Sequence, residues 1–65
     1  MKAETFVKEI LKRAFPQGRA TAKTISVCKW VELHEAFNQL TDRMVERGEI
    51  TAETVDKLYK AHMGF

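Results

Sequence analysis

His34, His62, Cys28 and the carboxylates are the residues best able to do chemistry, and their spacing decides what chemistry that is. His34-Glu35-Ala36-Phe37-Asn38 opens like the His-Glu-x-x-His helix motif, in which two imidazoles one turn apart reach a single zinc ion. Asn38 stands where the second imidazole would have to be. Tetrahedral zinc needs more ligands than two histidines and one cysteine in these positions can bring together, so no metal site is expected. Cys28 and His34 supply a thiol and a base but no third group to orient them; a small packed residue beside a polar helix residue is the expectation. His62 falls near the end of a helix, where a cation favours the local dipole. Gly18 and Gly48 are lone turn glycines, far from any phosphate-cradling loop pattern. An acid and base pair of carboxylates needs a cleft that pulls two pKa values apart, and a chain of 65 residues has little interior from which to build one. No catalytic residue, cofactor or enzymatic activity is expected.

Charge carries more information than any reactive group. Residues 1–30 hold seven Lys/Arg against two Glu, and the remainder holds four against seven, so a net charge of +2 conceals a sign change along the chain. A small domain with two oppositely charged surfaces is suited to binding. On one side, Glu32, Glu35, Gln39, Asp42 and Glu46 recur at spacings of three, four, three and four, which on a helix gathers them into a sector of roughly 80°. That ridge contains no base and suits docking into a basic groove of a larger protein or nucleoprotein complex, including one that otherwise holds nucleic acid. On the other side, Lys8, Lys12, Arg13, Arg19, Lys23 and Lys29 are six cations able to neutralise phosphates, with Glu9 and Arg13 expected to form a local helical pair.

The elements that must position these charges follow from periodicity. Phe6, Val7, Ile10, Leu11, Ala14 and Phe15 recur at helical spacing over residues 3–15, with Glu4 at the positive end of the dipole. Pro16 stops that helix, and Phe15-Pro16-Gln17-Gly18 places Pro and Gly where a type I turn prefers them. Over residues 20–29 the helical period disappears, and Thr21, Thr24, Ile25, Ser26 and Val27 predict a short strand, with a loop as the alternative. Trp30, Leu33, Phe37, Leu40 and Met44 then fall on one face of a helix over residues 30–47. Gly48 closes it, and Thr51 caps a third helix over residues 51–63, with Ile50 placed as a hydrophobic staple against Val55 or a nearby residue. The expected core is Phe6, Ile10, Leu11, Trp30, Leu33, Phe37, Leu40, Met44, Val55, Leu58 and Tyr59. The fold class is mainly α: one domain of three helices, with a short β-strand or ribbon between the first two.

Strand, helix, tight turn, helix is also the element order of ribbon-helix-helix DNA-binding proteins, and residues 22–63 bear an architectural resemblance to them. The resemblance implies an obligate homodimer whose two-stranded ribbon enters the major groove, with Lys23, Thr24, Ser26 or Lys29 contacting bases or phosphates. Two departures stand against it: a whole helix precedes the strand, and the later helices are acidic where they would approach the phosphates.

Composition sets the outer limits. With 45% hydrophobic residues, one Pro and three Gly, the chain is globular in type, although a domain of this size buries only about 60% of its unfolded surface. Dimerisation is one way to enlarge so small a core. A lone cysteine excludes an internal disulfide and fits a reducing cytoplasm. No apolar run approaches the roughly 20 residues needed to cross a bilayer, residues 1–15 are unlike a signal peptide, and a complete, soluble protein is expected. The leading expectation is a small non-enzymatic regulator or inhibitor, of the size common in phages and mobile elements. It would engage a larger protein assembly through a charged face; the alternative is a dimeric DNA-binding regulator.

Overall fold

The computed structural model describes residues 2–64. Helix α1 spans Ala3–Ala14, a single-turn α2 spans Thr21–Thr24, α3 spans Val27–Glu46 and α4 spans Ala52–Met63. A 3-10 turn, Gly18–Ala20, leads directly into α2. Among the described residues there is no strand, so the domain is mainly helical, with three long helices.

The expected strand is replaced by helix because its hydroxyl side chains find backbone partners locally. Thr21 Oγ1 accepts from the Gln17 N–H at 3.3 Å, and Thr24 Oγ1 donates to the Thr21 carbonyl at 3.0 Å. Ser26, in extended conformation, caps α3 by accepting from the Lys29 N–H at 3.2 Å. Ser and Thr are helix-capping residues as readily as they are strand residues, and a lone strand would have no ladder to join. Helix α3 therefore starts three residues before the expected Trp30, and Val27 is 77% exposed rather than facing a sheet interior. With no ribbon in residues 20–29, the ribbon-helix-helix architecture is not formed.

The expected turns are present. The Gly18 N–H reaches the Phe15 carbonyl at 2.9 Å across Pro16. At the end of α3, Gly48 has φ +75°, its N–H bonds the Val45 carbonyl at 3.0 Å, and the Glu49 N–H bonds the Met44 carbonyl at 3.0 Å. That paired closure is a Schellman motif, which satisfies carbonyls the helix end leaves free. Thr51 then caps α4 by accepting from the Thr54 N–H at 3.2 Å.

Helices α3 and α4 form an antiparallel hairpin across that short turn. Helix α1 packs most extensively against α4 and runs parallel to it: Ala3 and Glu4 share a groove with Ile50 and Thr51 at the start of α4, while Phe15 meets His62 at its end. The buried apolar core is Val7, Leu11, Phe15, Phe37, Met44, Ile50 and Met63. Each such side chain contributes about 1.5–3 kcal/mol on burial. Ile10, Trp30, Leu33, Leu40, Val55, Leu58 and Tyr59 are half-buried around it. Phe6, expected in the core, is 40% exposed, because α1 turns Ala3, Val7, Leu11 and Ala14 inward and Phe6 lies about 100° round from Val7.

Candidate interaction surface

Where α1, α3 and α4 meet, Phe15 comes from the end of α1, Trp30 and His34 from α3, and Tyr59 from α4. Phe15 and Trp30 meet edge to face with ring centroids 4.8 Å apart, and His34 lies 4.8 Å from Trp30 and 5.1 Å from Phe15. Such aromatic pairs stabilise beyond simple area burial. The Tyr59 hydroxyl and His34 Nε2 are hydrogen-bonded at 3.2 Å. Burial pushes the His34 pKa down and the Tyr59 pKa up, so the pair is held neutral.

His34 is thus committed to the junction of the helices, and the other reactive groups are dispersed. Cys28 is exposed and lies about 120° round α3 from His34, so thiol and imidazole point apart. Among the described residues no group of three or more His, Cys, Asp or Glu is placed to hold a metal. His62 does more than sit near a dipole: its Nε2 is 2.7 Å from the Phe15 carbonyl oxygen. A carbonyl only accepts, so Nε2 carries the proton and donates, tying the last turn of α4 to the end of α1. Gly18 lies against the same place, at φ +56° with a backbone so close that an added Cβ would stand 2.8 Å from the His62 carbonyl oxygen.

Glu32, Glu35, Gln39, Asp42 and Glu46 are all exposed and all on α3. They occupy a sector of roughly 80° centred opposite the buried Phe37, Thr41 and Met44, and run for about 21 Å along the helix axis. Thr41, whose hydroxyl donates to the Phe37 carbonyl at 3.0 Å, lets a polar residue sit on the buried side without an unmet bond. Among the described residues, no cation comes within ion-pair distance of any of the four ridge carboxylates.

The basic residues are exposed and spread over four elements. Lys8 and Lys12 border a shallow groove with Leu58 and His62, on the α4 side of α1. Arg13 lies on the opposite flank, with Phe6 and Ile10. Arg19 is in the 3-10 turn, Lys23 on α2 and Lys29 in the first turn of α3. Glu9 is 3.9 Å from Lys12 rather than paired with Arg13.

The structural junction formed by Tyr59, His34, Phe15 and His62 is not apparent from spacing alone. Its one local signal is Trp30, His34 and Phe37 at i, i+4 and i+7, which places three rings on the inward face of α3. No family model, curated protein or solved structure matches this chain. No helix among the described residues is long and apolar enough to cross a membrane.

Proposed function

We propose that this protein is a small non-enzymatic regulator or inhibitor that docks the acidic face of α3 into a basic groove on a larger protein or nucleoprotein complex. The observation that carries this reading is that Glu32, Glu35, Asp42 and Glu46 share one exposed helix face and have no ion-pair partner among the described residues. Like charges at i, i+3 and i, i+4 destabilise a helix slightly, and ordinary solvated faces alternate in sign. A one-sign ridge about 21 Å long, on a helix anchored by its opposite face, raises the rate of encounter with a positive surface and repels nucleic acid.

The test is capture from the native host by the tagged protein and by a variant carrying Glu35→Lys and Asp42→Lys, with circular dichroism to verify the fold. Loss of the captured protein in the variant supports the reading, and undiminished capture sinks it. Titration with mixed-sequence duplex DNA at several salt concentrations tests the other charged half. Binding that weakens steeply with salt would transfer the function to Lys8, Lys12, Arg13, Arg19, Lys23 and Lys29.

A further inference from the structure

Between α3 and α4 runs an open groove of about 340 Å³ whose walls include Phe37 and Tyr59 and whose rim carries Asp42 and Asp56. The two rings lie 6.0 Å apart at 31°, and Tyr59 is held in place by its hydrogen bond to His34. Asp42 belongs to both the groove and the ridge and has no ion-pair partner among the described residues. Asp56 is 3.0 Å from Lys60, but both side chains are about three-fifths exposed, and an exposed pair of this kind is worth roughly 0–1 kcal/mol and exchanges readily. Lys60 does not line the groove, whose walls hold no lysine or arginine and whose one basic group, His34, is bonded to Tyr59 and disfavoured as a cation by burial.

Aromatic walls below an anionic rim match one protein side chain better than the others. A guanidinium is flat, weakly hydrated and able to stack on a ring while donating two parallel hydrogen bonds to a carboxylate. A lysine ammonium is a strongly hydrated point charge that gains less from the rings. Phosphate is repelled by the rim. We propose that the groove is the anchoring pocket of the acidic ridge and takes an arginine side chain from the partner protein, with the guanidinium facing Asp42 and Asp56 and stacked on Tyr59. This rests on the ridge being a docking surface, and the two ideas fail separately in the following experiment.

The 15N- and 13C-labelled protein is titrated with N-acetylarginine amide and, separately, with N-acetyllysine amide, while the Tyr59 ring, the Asn38 side-chain amide and the α3 backbone are followed by NMR. The expected result is a saturable shift at Tyr59 and Asn38 with arginine, and affinity for lysine roughly fivefold weaker. Asp42→Asn with Asp56→Asn should reduce the arginine affinity roughly tenfold. Both residues are exposed, so the fold is retained. Glu32→Gln with Glu46→Gln should leave the response at Tyr59 unchanged. Equal responses to the two amides, or arginine shifts confined to Glu32, Glu35 and Glu46, would overturn the pocket. An arginine-rich peptide and a lysine-only peptide of equal length then test the ridge itself: if both bind along α3 without perturbing Tyr59, the ridge stands and the pocket falls. If neither peptide binds, both readings fall.

Discussion

The segment from Phe15 to Ser26 and the outer face of α3 are built on opposite principles. In the first, Thr21, Thr24 and Ser26 each hold a backbone partner, and Gly18 and Phe15 are pressed against the end of α4. In the second, four carboxylates are left in water with no cation within ion-pair distance among the described residues. Local bonds and close packing are what a segment acquires when it must hold its shape. Unpaired like charges on a firmly held helix give up a little stability and keep an electric field. The contrast separates a segment that maintains the fold from a charged face that the fold leaves in solvent.

Substitutions can break this contrast or sharpen it. The largest effect is expected at Gly18, where Ala would meet the His62 carbonyl and require a left-handed backbone; stability measured by urea unfolding should fall by about 2–3 kcal/mol. Gly48→Ala, with the same sign of φ but open space around it, should lose only about 1 kcal/mol. Equal losses at the two positions would show that the approach to α4 does not fix the segment. Next in size is Ser26→Ala, which removes the cap of α3 and should cost about 1 kcal/mol, read from the same unfolding curves.

The pH dependence comes next. Burial disfavours the charged form of His34, so its folded pKa lies below the unfolded one. The associated stability is complete above about pH 6.5 and is lost as pH falls through the folded value. Thermal unfolding between about pH 7.5 and pH 5.5 should therefore show a falling midpoint that His34→Gln flattens. The smallest effect belongs to the ridge: Glu35→Gln with Asp42→Asn should change stability by less than about 0.5 kcal/mol. A clear loss of stability there would mean the ridge carboxylates are structural and would erase the contrast altogether.

The ridge was legible in the sequence because Glu32 to Glu46 lie on one helix, where spacing alone dictates which side chains share a face. The same logic located α1, α3 and α4, the Pro16 turn and the Gly48 closure. It failed where two physical roles share a residue type. Thr21, Thr24 and Ser26 read as strand by propensity and instead bond nearby backbone groups in the structure, Ser26 as the cap of α3, a choice made by which backbone groups are within reach. The groove and the His34–Tyr59 contact join residues 25 positions apart, and the docking angle of α4 on α3 is not encoded in any local period. Sequence order is equally silent on which basic residues share a face: Lys8 and Arg13 are close in sequence, yet they flank opposite sides of α1.

The parallel pairing of α1 with α4 also has a consequence for how the chain reaches its folded state. The helix that α1 leans on most is the farthest from it in chain order among the described helices. The α3–α4 hairpin closes through a short turn, but α1 must wait until the whole intervening chain has been made and then close a long loop, an entropic cost that rises only slowly with length. At roughly 5–20 residues per second, the nascent chain carries Val7, Leu11 and Phe15 uncovered for some seconds. In that interval the side chains that later form the driest part of the core are a sticky surface, and nascent α1 is the segment on which a chaperone or a neighbouring chain would act first.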